Sequence, residues 1–201
     1  GRFEVQHEAQ VEIQRQVIEL SSLKQLEPHQ MHDAPVKYLF DSRYCRADQF
    51  QSFVGDQFKG TAGGERVQAI RDWVAEKFTY APGSSDASTT AHDSFIERRG
   101  ICRDYAHMVV TLARASVIPA RFVACYAPDV TPQDFHAVAE VFLHDPESEG
   151  GGTWQLVDAT DMAKPDEIVK IGVGRDAADV SFLTSFGMVD LCEKTVEVSR
   201  D

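Results

Sequence analysis

No run of about 18 apolar residues occurs in the 201-residue chain, so no membrane-spanning helix is expected. The opening GRFEVQHEAQ lacks the basic stretch and apolar core of a secretory signal, and no leader is expected. It also lacks an initiating Met, which leaves upstream sequence open. Basic residues are scarce: 20 Lys and Arg stand against 32 Asp and Glu, for a net charge of −12. A chain so poor in cationic stripes is not built for phosphates, which excludes nucleic acid as a partner and fits a freely soluble, cytoplasmic protein. Arg98, Arg99 and Arg103 form the one tight basic cluster, expected to be solvated or ion-paired. The four cysteines (Cys45, Cys102, Cys125 and Cys192) are far apart with no CxxC pair, which excludes a zinc ribbon or a thioredoxin-type site and points to free thiols. His29 and His32 sit in a Pro-flanked loop without further ligand candidates, so no metal is expected there. GVGR at 172–175 lacks the full G-x-G-x-x-G spacing and a long following helix, so it gives no nucleotide signal. Internal repeats and low-complexity segments are absent as well.

What is present changes period along the chain. Residues 3–17 alternate apolar and Gln/Glu side chains, the period of a half-buried strand. Residues 21–48 are irregular and punctuated by Pro28 and Pro35. Val67, Ile70, Trp73, Val74 and Phe78 recur at helical spacing and predict a helix from about Gly64 to Phe78. After a Pro/Gly/Ser-rich loop at 80–88, Thr90 is an N-cap candidate with Asp93 three residues on, and Gly100 is expected to end that short helix. A third helix should begin near Cys102, with Ala106, Val109, Val110, Ala113 and Val117 as its stripe and Pro119 as its stop. Then the period becomes two: 120–127, 135–143 and 153–160 predict strands, with HDPESEGGG as a hairpin connection. Residues 171–180 read as loop and turn, and 194–198 as a closing strand. Helices first and an antiparallel meander after them define an α+β fold. The expected organisation is an N-terminal strand extension over 1–50 and a core over 60–201.

If the hairpin turns near residue 148, paired positions sum to about 296. His136 then faces position 160 and Asp158 faces position 138, which makes them diagonal neighbours on adjacent strands. A carboxylate that orients an imidazole leaves the other ring nitrogen free to serve a nucleophile. Cys102 is the natural one, because N–H groups and the dipole at a helix N-terminus favour thiolate over thiol. Taken singly, each residue has a plainer reading. A cysteine ahead of a helix is usually core, a strand histidine usually satisfies a carbonyl, and Asp158 before Ala-Thr can cap a turn. Asp104 and His107 do not share the helix face of Cys102 and are read as structural, while Cys45, Cys125 and Cys192 are assigned to core packing.

The blocks GICRDYAHMVVTLARASVIPARFVACY, DFHAVAEVFL and WQLVDAT, in this order, resemble the catalytic core of the transglutaminase-like superfamily. The resemblance runs from about residue 66 to 180, with SRYC at 42–45 and the GSS loop also in keeping with bacterial members. It implies a papain-like fold in which a helix carrying Cys102 packs on an antiparallel sheet carrying His136 and Asp158. It implies the roles too: Cys102 as nucleophile, His136 as base, Asp158 as orienting acid. One departure is Val138, which stands where many members carry Trp two residues after the His; the acyl pocket is therefore expected to differ. No calcium loop is recognisable, and no cofactor is implied. The expected activity is acyl transfer from a peptide or protein amide through a thioester, with hydrolysis preferred. Transfer to an amine, transfer to an arylamine from a thioester donor, and a non-catalytic binding module are the alternatives; oligomeric state is not readable.

Overall fold

A computed structural model of the chain describes residues 1–148 and 151–200. Along them run α1 (Asp33–Val36), α2 (Gln51–Gln57), α3 (Gly63–Lys77), β1 (Thr79–Tyr80), α4 (Ala91–Glu97), β2 (Arg99–Gly100), α5 (Cys102–Ala115), β3 (Ala120–Tyr126), β4 (His136–His144), β5 (Gly152–Val157) and β6 (Val169–Gly174). The segment expected to be irregular, 21–48, is punctuated by short helical turns such as Pro28–Gln30 and Lys37–Leu39.

Each helix follows from local chemistry. In α3 the residues at helical spacing, Val67, Ile70, Trp73 and Val74, are all buried. In α4 the Thr90 side chain accepts from the Asp93 N–H while the Asp93 carboxylate accepts from the Thr90 N–H, a reciprocal cap. That helix does not run to Gly100 as expected: it ends at Arg98, which takes the left-handed conformation at φ 56. A glycine is the usual residue there. Here the guanidinium is instead stacked over Phe95 at 4.0 Å and Trp73 at 4.5 Å. In α5 every residue from Asp104 to Ala115 is buried, so this helix lies at the centre. Val117, counted in its stripe, lies past the helix end at φ 61 and is exposed.

The sheet has the order β5-β4-β3-β6, antiparallel throughout. In the β4–β5 hairpin Ala139 pairs with Val157 and His144 with Gly152, which is the register expected for a turn near 148. Within that connection Glu149 and Gly150 lie outside the described residues. The sheet packs on α5, and α3 packs on α5 and reaches β4 as well. Side chains of α3, α5, β3 and β4 share one core with Tyr44, Cys45 and Phe50, so residues ahead of position 51 are built into it.

Three further expectations fail, in whole or in part. Residues 3–17 form no strand, because an alternating pattern needs a neighbouring strand to pair with and none among the described residues lies alongside. Residues 194–198 likewise form no strand; the Val198 backbone pairs instead with the Gln133 side chain. Conversely, of residues 171–180, expected to be loop and turn, 171–174 belong to strand β6 and only 175–180 form a turn. The apolar residues Ile171 and Val173 of β6 point outward, and glycines take the covered positions. A Cβ on Gly174 would meet the Asp179 Cβ at 2.5 Å, since the following turn folds back over this strand.

Candidate active site

The start of α5 is set by Asp104. Its buried carboxylate accepts from the Ile101 N–H at 2.9 Å, from Ser85 Oγ at 2.5 Å and from the Arg103 guanidinium at 3.2 Å. Gly100 is needed for close approach: a Cβ there would lie 2.5 Å from the Asp104 Cβ. Cys102 is thereby the first residue of α5, partly exposed, at the end where the N–H groups are not used within the helix.

The two-residue strands bring a further side chain to this point. Tyr80 pairs with Gly100 in parallel, and the Ala81 N–H donates to the Gly100 carbonyl at 2.9 Å. Burial, and after it the neighbouring Cys102 sulfur, push the pKa of the Tyr80 hydroxyl up to about 12.

His136 opens β4 and Asp158 follows the last residue of β5, so the hairpin register sets them side by side. His136 Nε2 and Asp158 Oδ2 are 3.0 Å apart, and both side chains are buried. The carboxylate is fully used: Oδ1 accepts from the Thr160 N–H and hydroxyl, each at 2.7 Å, and Oδ2 also accepts from the Ala163 N–H at 2.9 Å. Capping a turn and orienting the imidazole are thus done by one side chain. The Asp158 carbonyl is itself held by the Arg71 guanidinium of α3 at 3.1 Å.

Burial works against charge on both groups, and their partners outweigh it. The His136 imidazole would be depressed by burial, but Asp158 and Cys102 push its pKa up from 6.5 to about 9. Burial would raise Asp158, yet His136 and Thr160 hold it below the usual carboxylate range. With Nε2 committed to Asp158, Nδ1 is buried without a hydrogen-bond partner, and the Cys102 thiol is close enough to act on the same ring. A protonated imidazole between a carboxylate and a thiol can hold a thiolate and deliver a proton to a leaving group.

The other candidates fall outside this cluster. His107 accepts from the Ala177 N–H at 3.1 Å and stacks on Tyr44; burial drives its pKa down to about 3. Arg99 pairs with Glu97 and Arg103 with Asp104. His29 is exposed, and His32 rests edge-on against Phe142. Val138 is buried and pairs with Val123. Cys45 and Cys125 are buried thiols with pKa values pushed up by burial, Cys45 to about 12. Cys192, assigned to the core from sequence, is exposed, because its segment runs outside the sheet and helices. Tyr80 and Arg71 were not anticipated. The cue for Tyr80 was its place right after a helix end, but its pairing with Gly100 spans the loop and α4 and is not visible locally.

The sequence profile described as the transglutaminase-like superfamily matches residues 51–159. The chain belongs to this superfamily. A crystal structure described as a candidate cysteine protease from Cytophaga hutchinsonii is 36% identical and superposes with a TM-score of 0.75, over 82% of this chain and 55% of that one. An uncharacterised protein of Mycobacterium leprae is 29% identical over 139 residues, which is 67% of this chain and 50% of the relative. One from Mycobacterium tuberculosis is 30% identical over 148 residues, covering 67% and 46%. The chain therefore spans about half the length of the curated relatives it matches.

Proposed function

We propose that the chain is a cysteine-dependent acyl-transfer enzyme acting on amide bonds, with Cys102, His136 and Asp158 as its triad. The observation that carries this reading is the buried 3.0 Å His136–Asp158 contact, which leaves Nδ1 unpaired beside a helix-terminal thiol. In the first half-reaction the Cys102 sulfur bonds to the amide carbonyl carbon, and His136 gives its proton to the nitrogen as the C–N bond breaks. The amine leaves, and the acyl group remains as a thioester. Backbone N–H groups at the start of α5 are the donors for the developing oxyanion. In the second half-reaction water, deprotonated by His136, attacks the thioester and restores the thiol. Asp158 holds the ring and favours the imidazolium throughout.

Hydrolysis of a peptide or protein amide is the preferred outcome, in keeping with the cysteine-protease description of the C. hutchinsonii relative at 36% identity. Capture of the thioester by a primary amine would share the first half-reaction and give transamidation. Peptide and glutamine-containing donors, assayed with and without a primary amine, separate the two outcomes. Turnover is expected from the wild type and not from Cys102→Ala; activity that survives Cys102→Ala would overturn the mechanism.

A further inference from the structure

Immediately ahead of His136, the pair Asp134–Phe135 faces a cation from a distant part of the chain. Lys194 Nζ donates to Asp134 Oδ1 at 2.5 Å and to Oδ2 at 2.6 Å. The same ammonium lies 5.8 Å from the centroid of the Phe135 ring. That ring also packs against two others, stacked on Tyr126 at 5.4 Å and tilted against Phe182 at 4.9 Å. A bidentate carboxylate beside a braced aromatic face is the chemistry that recognises an ammonium ion. Its place is beside the candidate triad as well, since Asp134 and Phe135 directly precede His136 at the start of β4.

We propose that Asp134 and Phe135 form a subsite for a primary ammonium, taking the lysine side chain of a peptide or protein substrate, and that Lys194 occupies it as an exchangeable internal ligand. This rests on the reading of Cys102 as the acyl-accepting thiol. The ion pair is partly exposed on both sides, so its intrinsic strength is small. Lys194 is kept nearby by other contacts. The Gln133 side chain donates to the Val198 carbonyl at 2.6 Å and accepts from the Val198 N–H at 2.8 Å, and Arg200 pairs with Asp129 and Glu167. Tethering of this kind supplies a high local concentration without a tight contact. The net charge of −12 favours the approach of cationic peptides to the molecule as a whole.

The test uses the chain carrying Cys102→Ala, so that no turnover is needed. The probes are N-acetyl-lysine N-methylamide and its Nε-acetylated counterpart, titrated by NMR at low ionic strength. The ammonium probe is expected to shift the resonances of Phe135 and Tyr126, and the acetylated probe is not. Releasing the internal competitor by Lys194→Gln should tighten binding by roughly tenfold, and Asp134→Asn should remove it. Equal response to both probes, no binding of either, or unchanged affinity in Lys194→Gln would each overturn the proposal. The acyl-transfer reading fails on a different result, activity that survives Cys102→Ala, so the two failures are distinguishable.

Discussion

The charge on His136 is decided by its two neighbours. A folded-state pKa of about 9 lies above the ordinary 6.5, so the protonated form is the one that the fold stabilises. That contribution to stability is fully present below pH 6.5 and is lost as pH rises through about 9. Urea midpoints at pH 6 and pH 9.5 should therefore differ more for the wild type than for His136→Gln. The activity profile is expected to follow the same group, with kcat/KM falling on the alkaline side at an apparent pKa of about 9 as the proton for the leaving amine is lost. Asp158→Asn removes the charge that raises the imidazole. It should move this limb toward lower pH and reduce kcat by roughly 10²–10⁴. A pH–rate series on both proteins checks the pair; an unmoved limb would separate Asp158 from His136.

Elements differ in how much of them is legible before folding. The hairpin of β4 and β5 could be placed from its turn, because one turn position sets every pairing along two strands. The apolar stripe of α5 is equally plain, although burial on nearly every side also takes in polar side chains such as His107 and Arg114, which no apolar pattern announces. By contrast β6 hides its nature: its covered positions are glycines, made necessary by a turn that lies on top of it. The alternation over 3–17 misleads for the opposite reason, as a pattern is only half of a strand and a partner is the other half. Gly100 was read as a helix stop and proves to be a point of close approach to Asp104. Gly100→Ala should push on the first turn of α5 and displace Cys102. A loss of kcat/KM of roughly tenfold or more is expected, with a smaller change in thermal midpoint, since exact placement of reacting atoms governs rate steeply. Parallel kinetics and melting curves distinguish this from general unfolding.

At the scale of the whole molecule, the segment from Leu20 to Leu26 acts as a clasp on α3. The Gly64 N–H donates to the Leu23 carbonyl at 2.9 Å, and a Cβ on Gly64 would overlap the Leu20 carbonyl. Gly64→Ala is expected to separate the two, costing about 1–3 kcal/mol and lowering the thermal midpoint by several degrees. A midpoint within one degree of wild type would show the clasp to be dispensable. Placement of the cysteines through this fold has an experimental consequence. Two thiols are sealed in the interior, one sits at the head of α5, and one stands in the open on the C-terminal segment. Iodoacetamide offered to the native chain should thus count two sulfurs, not four. Cys192 becomes a built-in clock for ordinary thiol chemistry, running in the same tube and at the same pH as Cys102. Modification of Cys102 ahead of that clock is the expected outcome; equal rates for the two would mark Cys102 as an unactivated thiol.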